Sequence, residues 1–216
     1  MTAPESVRAP SRSRPALARL LWPLAYLACR LAAPYVHLPG ETLPLVASSI
    51  LFLLLPLFWL RDIGGLRVRP AMSLVAFAVL ALLWEEIVLG KPFGFLWGMP
   101  WRSHPDAALM MATVARPFAD LFLITAAAVL GAALAGMVRD PKMLLPIILV
   151  GALVDYWGVF YGTTNYAVTH MRSVVQNLSA GIPTLGGAGS VEGVQPVSYV
   201  GFGDWFFITL FLAVVI

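Results

Sequence analysis

Residues 143–161 read MLLPIILVGALVDYWGVFY, an apolar run whose one charge is Asp155. A hydrocarbon core about 30 Å thick takes about 20 such residues to cross as an α-helix. Inside lipid the backbone has no water to bond, so the run must bond to itself as a helix. What remains to be explained is the aspartate. An ionised carboxylate at mid-bilayer costs at least about 2.5–3.5 kcal/mol.

Working outward, five more apolar blocks are long enough to cross a membrane. They run from Ala16 to Tyr35, Thr42 to Leu60, Met72 to Leu89, Pro117 to Val138 and Ser198 to Ile216. The sequence therefore predicts an all-α polytopic bundle of about six spans. Composition agrees, with 60% hydrophobic and 12% charged residues, about half the charge of a soluble domain. The one cysteine, Cys29, excludes an internal disulfide framework. The net charge of +3 and the scattered arginines give no nucleic-acid footprint.

The basic residues alternate between loops. Arg8, Arg12, Arg14, Arg19, Arg61, Arg67, Arg69, Arg139 and Lys142 fall on one side, and Lys91, Arg102, Arg116 and Arg172 on the other. The excess places the N-terminus in the cytoplasm. Arginine far outnumbers lysine, as in a GC-rich bacterial genome, so a bacterial inner membrane is the expected location. Residues 1–15, polar and rich in arginine and proline, read as a disordered cytoplasmic tail. Residues 16–142 hold the N-terminal spans, and 143–216 a helix pair carrying the two aspartates.

The second aspartate, Asp204, lies six residues into the last block, in Gly201-Phe202-Gly203-Asp204. Consecutive spans run antiparallel. If the fifth helix breaks near Gly162, both aspartates lie roughly 10 Å below the outer surface. Two touching carboxylates cannot both ionise cheaply and tend to share a proton. One can then draw a proton from water while the other polarises a peptide carbonyl. Neither a metal nor a cofactor is expected. The glycines let backbones approach closely and loosen the helix beside the carboxylate.

Asp155-Tyr156-Trp-Gly-Val-Phe160, followed by Thr164-Asn165 and Ala167-Val168-Thr169, resembles the first catalytic helix of the signal peptide peptidases. Gly201-Phe202-Gly203-Asp204-Trp-Phe-Phe resembles the second. Together with the presenilins these enzymes form the GxGD intramembrane aspartyl proteases. The resemblance covers about a third of the chain, roughly Leu144 to Ile216. It implies a presenilin-like partial fold, with Asp155 and Asp204 as the catalytic dyad. Tyr156, Gly201, Phe202 and Gly203 would shape the site and meet substrate. Transmembrane proteins or signal-peptide remnants would be the substrates. The family has tyrosine before its first aspartate, where this chain has Val154. It also has nine helices and a Pro-Ala-Leu motif near its C-terminus; with six spans and no such motif, this chain reads as a truncated relative. Prepilin peptidases share a Gly-x-Gly-Asp string but follow it with basic residues, unlike Trp205-Phe206-Phe207.

Other polar residues read as structural. Arg116 and Asp120 have the spacing of a local i,i+4 ion pair at the interface. Glu85-Glu86 reads as an interfacial pair. His37, His104 and His170 are too far apart in sequence to suggest a metal site. Asn177-Leu178-Ser179 has the glycosylation form by coincidence. Phe93, Phe95, Trp97 and Trp101 read as interfacial anchors, and the glycine-rich stretch from Gly181 to Gly193 as a mobile outer loop. The expected function is thus intramembrane aspartic proteolysis. The alternative is a non-catalytic membrane protein or a proton- or cation-coupled transporter using the same buried aspartates; a transporter usually carries an internal repeat, and none is visible.

Overall fold

The computed structural model describes residues 16–40, 42–66, 69–89, 111–138, 140–161, 166, 169–186, 196 and 198–215. Side chains at 16–18, 70, 89, 111–112, 154–155, 158–159, 161 and 173 lie outside that description. So do the expected N-terminal tail, the aromatic anchors between Phe93 and Trp101, and His104.

Helix α1 spans Ala16–Ala32 and gives way to a 3-10 turn, Ala33–Tyr35. The turn has Pro34 near its start, where a missing N–H costs nothing. Helix α2 is Thr42–Gly64 and α3 is Pro70–Leu89. A π-turn, Met111–Ala115, leads into α4, Arg116–Ala135. After a 3-10 turn, Pro141–Met143, come α5 (Leu144–Tyr161) and the short α6 (Arg172–Asn177). Strands β1 (Ser179–Ile182) and β2 (Ser198–Gly201) form an antiparallel pair, and α7 is Phe202–Val215. Pro23 and Pro56 both sit inside helices.

Among the described residues, three helical segments are long and apolar enough to cross a membrane: Thr42–Gly64, Ala71–Val88 and Thr113–Ala135. Two shorter apolar helices, Pro141–Leu153 and Phe202–Val215, accompany them. Leucines, valines and aromatics on α2, α3 and α5 face outward, including Leu53, Val75, Leu149 and Trp157. Outward faces this apolar suit lipid.

The core lies between α1, α2, α4 and α7. Tyr26 meets Phe52 and Trp59 edge-on, at ring separations of 5.8 Å each. Leu60, Ile124, Ala127 and Trp205 complete the buried cluster. Helices α4 and α7 approach each other closely. Ala127, Gly131 and Ala135 recur every four residues along one face of α4, and all three are buried. A Cβ on Gly131 would lie 2.6 Å from the Phe206 carbonyl oxygen, so the two backbones are nearly in contact.

Two sequence expectations are corrected. The last apolar block is not one helix from Ser198. Its first four residues pair as β2 with β1, in register Ser179↔Gly201 and Ile182↔Ser198, and the helix begins at Phe202. The beginning of the glycine-rich loop is not free either. Ser179 through Pro183 are buried, and side chains from two helices, Ser48 of α2 and Arg116 of α4, hold this segment. Residues 187–193 of that loop lie outside the described residues. The fold is therefore helical with one two-stranded hairpin, not purely helical.

The hairpin caps one end of the bundle. The N-terminal parts of α2, α4 and α7 and the C-terminal end of α1 all reach it. The Ser48 hydroxyl on α2 donates to the Pro183 carbonyl, and the Gly186 amide donates to Ala33 O beyond α1 at 3.1 Å. Gly186 makes that turn with φ of 76°, a left-handed conformation that suits glycine.

Candidate active site

Asp204 is the third residue of α7. Its Oδ2 accepts from the Gly201 amide at 3.1 Å, so the carboxylate bonds back to the residue just before the helix. This is the acidic half of a capping box, with the side chain satisfying a donor the helix leaves open. Gly201 has no side chain to return the bond, and a Cβ there would lie 3.4 Å from Asp204 Oδ2. Beside it Gly203 has, among the described residues, no atom within 4 Å of where a Cβ would stand. Asp204 and Gly203 are exposed, while Trp205 on the next position is buried.

Phe202 anchors the turn twice. Its amide donates to the Leu178 carbonyl at 3.1 Å, and its ring meets Phe77 of α3 edge-on at 6.3 Å. Sequence reasoning placed Asp204 six residues deep in a span. The structure places it in the first turn of α7, directly below the hairpin.

Asp155 lies in α5, but its side chain is outside the described residues. Its level follows from neighbouring contacts. Leu144 near the start of α5 shares a buried cluster with Leu210 of α7, alongside Ile147, Phe206, Phe207 and Phe211. Further along, a Cβ on Gly151 would stand 3.6 Å from the Phe207 ring. The two helices thus run antiparallel past each other. Asp155 is four residues beyond Gly151, roughly 6 Å along α5, and Asp204 is three residues before Phe207, roughly 4.5 Å along α7. Both displacements point toward the hairpin end. Tyr156 turns away from this seam; it is exposed and packs against Phe160 at a ring separation of 4.7 Å.

A second cluster of charges is more deeply buried. Asp120 on α4 is 1% exposed and holds two arginines. Arg30 Nη2 donates to its Oδ2 at 3.0 Å, and Arg116 Nε donates to its Oδ1 at 3.1 Å. The i,i+4 pair expected from sequence is present, but it is part of a larger network. Arg116 Nη2 also donates to the carbonyls of Gln176 (2.6 Å) and Ser179 (2.7 Å). Arg30 is 4% exposed, and its Nε has no hydrogen-bond partner among the described residues. The signal for Arg30 was present in the sequence: an arginine deep inside the first apolar block needs a counter-charge.

Comparisons with protein-family models, with curated proteins and with solved structures give no match.

Proposed function

We propose that the protein is an intramembrane aspartic endopeptidase of the GxGD type, similar to the signal peptide peptidases and presenilins. Asp155 and Asp204 form its catalytic pair. The observation that carries this reading is the approach of Gly151 to the Phe207 ring, which supports placing Asp155, four residues beyond Gly151, and Asp204, three residues before Phe207, on neighbouring antiparallel helices. Held together in a site of low polarity, the two carboxyl groups share one proton. The ionised member takes a proton from water as that water attacks the scissile carbonyl. The protonated member donates to the carbonyl oxygen as charge develops there. Collapse of the tetrahedral adduct expels the amine, which takes a proton from the dyad.

The open ground beside Gly203 leaves room for an unwound stretch of another protein's transmembrane helix or a signal-peptide remnant. In this reading the chain crosses a bacterial inner membrane about six times in a presenilin-like partial fold, with its N-terminus in the cytoplasm. The meeting of the end of α1 with the starts of α2, α4 and α7 supports such up-and-down threading.

The test is cleavage of a model transmembrane peptide by the purified chain in lipid nanodiscs, beside Asp155→Ala and Asp204→Ala. Cleavage by wild type alone supports the proposal. Equal behaviour of all three proteins refutes it.

A further inference from the structure

We infer that Arg116 is a positioning residue for Asp204, acting through the main chain of the hairpin; the inference rests on reading Asp204 as catalytic. If Arg116 served only to neutralise Asp120, its contact to Oδ1 would suffice. Instead its guanidinium continues past the carboxylate. Nη2 bonds the Gln176 and Ser179 carbonyls at 2.6 and 2.7 Å, and Nη1 reaches Asn177 Oδ1 at 3.5 Å. One rigid fork thus gathers the end of α6 and the start of β1 onto the first residue of α4.

From there the path to Asp204 is short. Ser179 stands opposite Gly201 in the strand pair. Leu178, between the two carbonyls that Arg116 holds, accepts from the Phe202 amide at 3.1 Å. Gly201 then donates its own amide to Asp204 Oδ2. The main-chain atoms that fix the Asp204 carboxylate are therefore fixed in turn by Arg116. Behind Arg116, Asp120 and Arg30 hold the fork in place. Arg30 bonds Asp120 from α1, and its Nη2 lies 3.3 Å from where a Cβ on Gly181 of β1 would stand. Lysine at 116 would keep the charge beside Asp120 but could not span both carbonyls, because an ammonium is a point donor without the planar fork.

The experiment compares wild type, Arg116→Lys and Arg116→Met as full chains in nanodiscs. It reads residue-resolved amide hydrogen exchange, together with kcat and KM on a transmembrane peptide. Losing a charge-assisted bond to the hairpin should speed exchange at Ala180, Ile182, Gly201 and Phe202 by about tenfold or more in Arg116→Lys. Amides in the middle of α2 and α4 should keep wild-type rates. The kcat should fall about tenfold with KM unchanged, since substrate still binds while the carboxylate wanders. Wild-type exchange at Gly201 and Phe202 in Arg116→Lys overturns the inference. So does an equal rise throughout α2 and α4, which would make Arg116 a general bundle tie, or a rise in KM at unchanged kcat. If Arg116→Met does not fold, the charge-retaining lysine variant decides. If wild type cleaves nothing, the protease reading falls, and the Gly201 and Phe202 exchange rates still decide whether Arg116 fixes the turn.

Discussion

Gly131→Ala sets two physical effects against each other with opposite signs. Alanine is the better helix former by about 1 kcal/mol in a helix interior, so propensity alone predicts a more stable protein. Packing predicts the reverse. The new Cβ would stand 2.6 Å from Phe206 O, 3.1 Å from Leu210 N and 3.1 Å from Thr209 Cβ, where ordinary contact begins at 3.4 Å. The carbonyl and amide belong to the backbone of α7 and cannot turn aside as a flexible side chain could. Helix α7 must withdraw from α4 by about 0.8 Å over at least one turn, and overpacking of this kind costs about 1–3 kcal/mol. With an obstacle of backbone, the upper part of that range applies, and the net destabilisation is about 1–2 kcal/mol. Reversible unfolding in mixed micelles, followed by tryptophan fluorescence, measures it. Gly131→Leu should lose more, because its longer side chain has nowhere to go. An unchanged or raised unfolding midpoint for Gly131→Ala would refute the close approach of α4 and α7, and with it the placement of Asp204 relative to the bundle.

Asp120→Leu leaves Arg30 and Arg116 without their shared carboxylate, and breaking a buried pair in this way costs about 3–5 kcal/mol; adding Arg30→Met should recover part of the loss in the same unfolding assay, and a purely additive double variant would count against the pairing. Gly181→Ala puts a Cβ 2.5 Å from Pro196 Cγ and 3.3 Å from Arg30 Nη2, so the unfolding midpoint should drop by the equivalent of about 1–3 kcal/mol. Gly203→Ala meets nothing within 4 Å. It should leave stability within about 0.5 kcal/mol of wild type while slowing peptide cleavage, because the added methyl occupies the open ground beside Asp204; full activity in this variant would remove substrate from that face.

Hydropathy made most of the helices legible, because a segment that must cross lipid shows its length directly. The block read as Thr42 to Leu60 is the helix Thr42–Gly64, and the block starting at Pro117 is the helix starting at Arg116. The hairpin was not legible. Its strands have four residues each, hold glycine and serine, and pair across the 15 residues between Ile182 and Ser198. Much of their stability comes from outside, through the Arg116 fork, and no local pattern records that. The charge network divides in the same way. Arg116 and Asp120 are separated by one helical turn, a spacing any sequence reading tests, whereas Arg30 and Asp120 are 90 positions apart and only the folded chain introduces them.

Three helices, α2, α4 and α7, present their amino ends to the strand pair, so the positive poles of their peptide dipoles outnumber the one negative pole brought there by the carboxyl end of α1. The positive poles converge on a patch that gathers the carbonyls of Gln176, Leu178, Ser179 and Pro183 and the carboxylates of Asp120 and Asp204, together with the guanidinium groups of Arg30 and Arg116. At the far end of α2 the last turn carries a cation, Arg61. The bundle is thus polarised along its length, and the Asp204 carboxylate stands in the first turn of α7, at the pole where a negative charge is favoured.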